Sequence, residues 1–177
     1  MKYEVIDNFL DEEYFDSLVT LFTGRKQAEN SQLPWFFLRE INLNHNVAED
    51  NLFYMIHTFY AKNQPTSSGY DKLFPLLEKL EARCLIRIKA NLYPNTEILH
   101  EHPMHRDYDF FHSAAILSLN TCDGYTKLKD GTKIDSVANR ILLFDASNEH
   151  CSTTTTNVPT RMNININYIQ EQLHEMT

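Results

Sequence analysis

Apolar residues recur with a helical period in two stretches of the first half of the chain and with a period of two through much of the second. After a strand-like run, Tyr3 to Ile6, the residues Tyr14, Phe15, Leu18, Val19 and Phe22 predict a helix opening at Asp11. Asp11 is suited to cap the free N–H groups, Leu10 and Phe15 can form a hydrophobic staple, and Gly24 supplies a stop. Ala28 to Pro34 is polar and reads as a loop, and Trp35 to Leu43 as a strand. Leu52 to Tyr60 reads as a strand because aromatic and branched residues dominate, with a buried helix as the alternative. Beyond a loop at Pro65 to Gly69, Leu73, Phe74, Leu76, Leu77 and Leu80 predict a second helix over Asp71 to Arg83, with Pro75 tolerated near its first turn.

From Cys84 onward the pattern becomes short strands separated by turns, which predicts a sandwich or barrel. Cys84 to Tyr93 sets Ile86, Ile88, Ala90 and Leu92 against Arg87, Lys89, Asn91 and Tyr93. Arg161 to Tyr168 repeats the device, with Met162, Ile164, Ile166 and Tyr168 opposing Arg161, Asn163, Asn165 and Asn167. Either polar row alone could face water. Two of them flanking the candidate ligands described below point instead to a polar-lined pocket, with the apolar rows packed beneath the helices. Between them lie Ser113 to Asn120, turns at Asp123-Gly124 and Asp130-Gly131, and the apolar strand Ile141 to Phe144.

A chain of 177 residues with ordinary apolar content fits one domain, with residues 1–83 as support and 84–169 as the β core. No apolar run approaches membrane-spanning length, and Met1 to Phe9 mixes charges with apolar residues, so a soluble cytoplasmic protein is expected. Cys84, Cys122 and Cys151 lack close pair spacing, which argues against a disulfide framework or a structural zinc site. A formal charge of -8 without a basic run disfavours nucleic acid as a partner. Neither composition nor pattern sets an oligomeric state.

The candidate chemistry lies in His105, Asp107 and the distant His150. On an extended strand, residues flanking a single position project the same way, so His105 and Asp107 can grip one ion. His150 follows an apolar strand and a short polar turn, where the chain can return to a cavity mouth. Two imidazoles and a carboxylate on one face, with open positions opposite, suit non-haem Fe(II). Arg161 carries a planar donor fork that binds a carboxylate at two points. Other registers exist: His100 and His102 share a face, and Asp109 or His112 could join His105. No carboxylate follows His100 or His102 at the one-residue gap, and both are expected on solvent or against substrate. Cys151 is expected to pack in the core. Asn91, Asn163 and Asn165 could line the cavity or face water, and Trp35, Phe36 and Phe37 could sit in a rim or in the core.

Several of these pieces, in this order and spacing, resemble the 2-oxoglutarate- and Fe(II)-dependent oxygenases, particularly the prolyl 4-hydroxylase-like group with its short bacterial and phage versions. The matching segments are Tyr93-Pro94, His105-Arg106-Asp107, Ala115 to Asn120, Asp123 to Thr126, Asn139 to Phe144, His150 and Arg161. They cover the C-terminal half. The resemblance implies a mainly β, α+β fold: a double-stranded β-helix, or jelly roll, supported by N-terminal helices. It implies Fe(II) held by His105, Asp107 and His150, with 2-oxoglutarate as cosubstrate, dioxygen as co-reactant and ascorbate as accessory reductant. Arg161 would meet the cosubstrate's distal carboxylate, with Tyr93, Asn91, Asn163 and Ser118 around it. Many relatives carry tyrosine where this chain has Ser118, and the shorter side chain leaves a gap for water or Asn163. The implied activity is hydroxylation of an unactivated carbon, with a prolyl residue of a peptide or protein, a free amino acid or another metabolite as candidates. For a phage-encoded version the location would be the host cytoplasm. The rival readings are a non-catalytic, cupin-like jelly-roll module binding a small molecule or peptide, and a cupin-like metalloenzyme with no cosubstrate, for which Arg161 would be dispensable.

Overall fold

The computed structural model describes residues 2–23, 33–39 and 52–169. The strand β1 (Tyr3–Ile6) and the helix α1 (Glu12–Thr23) stand where the pattern puts them. Asp11 caps α1, its Oδ1 accepting the Tyr14 N–H at 2.9 Å. The expected stop at Gly24 lies outside the described residues, as do positions 40–43 of the strand expected from Trp35 to Leu43. What is described of that strand is β2 (Phe36–Leu38). Leu52 to Tyr60 resolves to strand, β3 (Tyr54–Ala61), which turns through Lys62 and Asn63 into the two-residue β4 (Gln64–Pro65). Lys62 and Asn63 both have φ above +50°, the conformation of a tight type I′ hairpin.

The second helix is shorter than its apolar spacing predicts. A 3-10 turn at Tyr70–Leu73 leads into α2 (Phe74–Lys79), with Pro75 in its first turn. The chain leaves α2 through Glu81, whose φ is +54°. Glu81 N–H bonds to Glu78 O at 3.0 Å and Ala82 N–H to Leu77 O at 3.1 Å, the paired bonds of a Schellman stop. That stop usually announces itself with glycine, and here it does not.

The remaining strands are β5 (Cys84–Pro94), β6 (Ser113–Ser118), β7 (Tyr125–Leu128), β8 (Lys133–Asp135), β9 (Ile141–Asp145), β10 (His150–Ser152) and β11 (Thr160–Ile169). They form an antiparallel eight-stranded sheet in the order β1-β9-β6-β11-β5-β3-β2, with β4 on β3, and a three-stranded sheet β10-β7-β8. The apolar rows of β5 and β11 supply Ile88, Ala90, Ile164, Ile166 and Tyr168 to the main core, where they meet Phe15, Leu18 and Phe22 of α1 and Leu76 and Leu77 of α2. Burial of each Leu, Ile or Phe side chain among them contributes roughly 1.5–3 kcal/mol. On the opposite face a second cluster joins Leu128 of the small sheet to Ala114, Ile116, Leu142 and Phe144 of the large one. Helices outside and two antiparallel sheets packed face to face make this a jelly roll.

The polar rows therefore point inward, between the sheets. Asn163, Asn165 and Asn167 are all buried, and Arg161 is 1% exposed. Across the β5–β11 ladder Arg161 stands opposite Tyr93, Asn163 opposite Asn91, Asn165 opposite Lys89 and Asn167 opposite Arg87. Trp35 packs on Phe22 with ring centroids 5.2 Å apart, whereas Phe36 and Phe37 are each 58% exposed. The three cysteines are free thiols, two of them buried.

Candidate metal centre

His105 and His150 form an isolated antiparallel bridge, each donating its N–H to the other's carbonyl at 2.9 Å. Directly opposed residues project to the same side, and the two ring centroids are 4.7 Å apart. Asp107 does not continue a strand from His105, contrary to the extended geometry expected of the pair. The chain bends there, which swings the carboxylate toward both rings. Asp107 Oδ1 is 4.0 Å from His105 Nε2, and its Oδ2 is 4.0 Å from His150 Nε2. The three donor atoms lie within 4.8 Å of one another, and among the described residues this is the one cluster of three such side chains close enough to hold an ion.

Backbone carbonyls orient the rings. His105 Nδ1 faces Pro103 O at 3.3 Å and His150 Nδ1 faces Asn148 O at 3.2 Å. With the proton held on Nδ1, each Nε2 lone pair is free to bind a metal. Burial lowers the pKa of both imidazoles against the opposing pull of Asp107, that of His150 to about 4. Both rings are thus neutral, the form that coordinates. For Asp107, burial favours the acid form, but Arg87, His150, Lys89 and an Asn167 hydrogen bond overcome it and hold the carboxyl well below the usual carboxylate range. Its oxygens accept from Arg87 Nη2 at 2.8 Å, Asn167 Nδ2 at 2.7 Å and Asn165 Nδ2 at 3.2 Å. Arg87 and Asn167 were legible only as members of polar rows. Their function as props for Asp107 requires the fold.

The cavity beside the triad is lined by Lys89, Asn91, Tyr93, Asn163, Asn165, Thr126 and Cys151 among others. Asn91 donates to Asn163 at 2.8 Å, which leaves Asn91 Oδ1 and Asn165 Oδ1 buried without partners. Behind the cavity-lining Tyr93 and Thr126, Arg161 donates to Thr126 Oγ1 at 3.0 Å and Thr153 O at 3.3 Å and lies over the Tyr93 ring at 5.4 Å. Its Nε has no partner, and no carboxylate among the described residues pairs with it. A buried guanidinium without a counter-ion is costly, and a ligand carboxylate is the group that would satisfy it. In the sequence Thr126 stands out only as the end of the Asp123 to Thr126 segment that resembles the family, and Thr153 carries no signal at all.

Gly124 makes the guanidinium's position possible. A Cβ there would stand 2.6 Å from both Arg161 Cδ and Thr154 O. Neighbouring Asp123 accepts from Thr155 Oγ1 at 2.7 Å and Thr156 N at 2.9 Å, holding the segment that presents Thr153 O. Ser118 faces the cavity side beside Asn163, but its near partner is Ser136, at 3.4 Å, and not Arg161.

The alternative ligands stay outside the cluster. His102, expected on solvent or substrate, is 3% exposed, with Nδ1 2.9 Å from Ser152 Oγ and its ring against Tyr93. His112 is buried among Tyr108 and Phe110, and Asp109 is exposed. Cys151 is buried and lines the cavity next to His150.

No protein-family model and no curated protein matches the sequence. Solved structures match over nearly the whole chain. A prolyl-4-hydroxylase of Pseudomonas putida aligns at 16% identity over 95% of this chain and 92% of that one, with a TM-score of 0.61. A prolyl hydroxylase from Trichoplax adhaerens, in complex with a hypoxia inducible factor peptide fragment, aligns at 14% over 94% and 83%, with a TM-score of 0.60. An oxidoreductase of the 2OG-Fe(II) oxygenase family from Burkholderia pseudomallei gives 10%, 96% and 86%, and a TM-score of 0.66. At such identities the likeness is one of fold: the chain has the jelly-roll fold of the 2OG-Fe(II) oxygenases.

Proposed function

We propose that a chain with this fold and this donor set is an Fe(II)- and 2-oxoglutarate-dependent dioxygenase that hydroxylates an unactivated carbon. The observation that carries the reading is the combination of a two-imidazole, one-carboxylate cluster with a buried, unneutralised Arg161 set directly behind Tyr93 and Thr126 of the adjoining cavity wall. The donors fit the metal: neutral nitrogen and carboxylate oxygen on one side of an ion, with coordination positions left over, suit Fe(II). Iron bound there supplies the redox chemistry by which dioxygen is split between succinate, formed with carbon dioxide from 2-oxoglutarate, and the hydroxyl group of the product.

The protein's own tasks follow from its residues. His105, Asp107 and His150 hold the ion, and Arg87 and Asn167 keep the carboxylate ionised and aimed. Arg161, backed by Thr126 and Tyr93, binds the distal carboxylate of the cosubstrate. Asn91 and Asn163 line the space between. Ile116 adds an apolar wall to the cavity. A peptide or protein substrate is one candidate, suggested by the peptide-bound structural neighbour. Ascorbate as accessory reductant and a cytoplasmic location belong to the same proposal.

The test is to measure 2-oxoglutarate binding by calorimetry, and succinate formation, with and without Fe(II). Binding should require the metal, and Asp107→Ala or His150→Ala should lose both metal and turnover. Tight binding of 2-oxoglutarate to metal-free protein would favour a non-catalytic binding module. Metal-dependent activity that survives Arg161→Met would favour a metalloenzyme without a cosubstrate.

A further inference from the structure

Lys89 is the cation in the pocket that this scheme does not use. It stands on β5 opposite Asn165 and lines the same cavity as His105 and His150. Its side chain forms no hydrogen bond or salt bridge with any described residue. Its Nζ lies over the Tyr54 ring, 5.8 Å from the centroid. Burial pulls its pKa down, with Arg87 adding repulsion and Asp107 opposing, to about 8.

Charge counting shows what is missing. Arg87, Lys89 and Arg161 bring three positive charges to the inner face of the ladder, and among the described residues Asp107, paired with Arg87, is the one carboxylate that forms an ion pair with any of them. Arg87 already has a counter-charge, its Nη2 donating to Asp107 and Asn167 while its Nε has no partner. A divalent ion and a dianionic cosubstrate would then leave two positive charges uncompensated. A neutral prolyl segment would leave Lys89, half-buried on the cavity wall, with no counter-charge among the described residues, a cost that selective binding of an anion removes.

We propose that Lys89 binds a carboxylate of the molecule to be oxidised, so that the substrate is a small carboxylic acid, such as a free amino acid, in preference to a neutral peptide segment. The inference rests on the assignment of the site as an Fe(II)/2-oxoglutarate centre. It makes Lys89 a specificity residue, distinct from Arg161, which lies four positions' worth of ladder away, roughly 13 Å along the strand.

The experiment uses the full chain loaded with Fe(II) and 2-oxoglutarate. Succinate formation is followed with free L-amino acids and short dicarboxylic acids, each beside its amide, and with prolyl peptides bearing free or amidated ends. Calorimetry of the oxygen-free Mn(II)/2-oxoglutarate protein with the same acid and amide pairs gives a second readout. Acids should be preferred over their amides by roughly ten- to a hundredfold, the worth of one charge-assisted hydrogen bond. Lys89→Met should erase that preference, and Lys89→Arg should restore part of it. Equal response to acid and amide, stimulation by peptides whatever their ends, or no response to any acid overturns the proposal. So does a Lys89→Met variant whose loss is confined to 2-oxoglutarate affinity, which would assign the lysine to the cosubstrate. Absence of Fe(II)-dependent 2-oxoglutarate binding in the unaltered protein brings down the underlying assignment and is visible before any substrate is added.

Discussion

Asp107 carries more of the candidate site than its place in a His-Arg-Asp tripeptide suggests. It meets two imidazoles on one side and Arg87, Asn165 and Asn167 on the other. Asn167 neither touches the metal position nor carries charge, yet its amide fixes one carboxylate oxygen. Asn167→Ala should weaken metal affinity about 10–100-fold, the usual cost of losing an outer-shell partner, with Kd for Mn(II) as the measure. Gly124 has a different importance. Gly124→Ala places a methyl group where Arg161 Cδ and Thr154 O already stand. The expected outcome is weaker 2-oxoglutarate binding with metal affinity unchanged. An unchanged 2-oxoglutarate Kd would mean that the guanidinium can move without consequence. Little of this was legible in the chain. His105, Asp107, His150 and Arg161 could be picked out by residue type and order, whereas Arg87, Asn167, Thr126 and Thr153 have no local signature because their partners are distant in sequence.

Elements were read most securely where one period ran undisturbed. The alternation in β5 and β11 gave both the strands and their inward faces, because an apolar row packed under helices forces the intervening row to the other side. The helix beginning at Asp11 followed from its cap and spacing. The pattern predicts too long a second helix because apolar spacing continues past Lys79, where the backbone stops. Leu80 is buried and satisfies the pattern, yet Glu81 has already turned left-handed. Glu81→Gly should relieve the crowding of a Cβ in that conformation and stabilise the protein by about 1 kcal/mol, measurable as a higher urea midpoint with unchanged m-value. A loss of stability instead would indicate that the glutamate side chain contributes more than its backbone costs. His105 and Asp107 show the converse error: a one-residue gap suggested a strand, and the fold supplies a bridge followed by a bend.

For the whole molecule, the two sheets and the helices divide the labour. One face of the large sheet buries the apolar rows, and the other is polar, with Arg87, Lys89 and Arg161 outnumbering Asp107 on it among the described residues. Such an interior costs stability until ligands fill it. Metal and 2-oxoglutarate should therefore raise the thermal midpoint stepwise. Each at about a hundred times its Kd contributes roughly 2.7 kcal/mol, or about 5–10 °C for a chain of this size. A midpoint insensitive to 2-oxoglutarate in the metal-loaded protein would contradict the role given to Arg161.

By itself the sequence determined the periodicities, and with them the β-rich second half, the capped first helix and the inward polar rows. It also determined which residue types were available for metal and carboxylate chemistry. Only the tertiary structure decided which histidines share an ion with Asp107, which of three cations keeps a counter-ion, and where α2 ends. Period and propensity act between neighbours a few positions apart, whereas coordination, charge pairing and burial depend on distances between residues that only the closed sheets bring together.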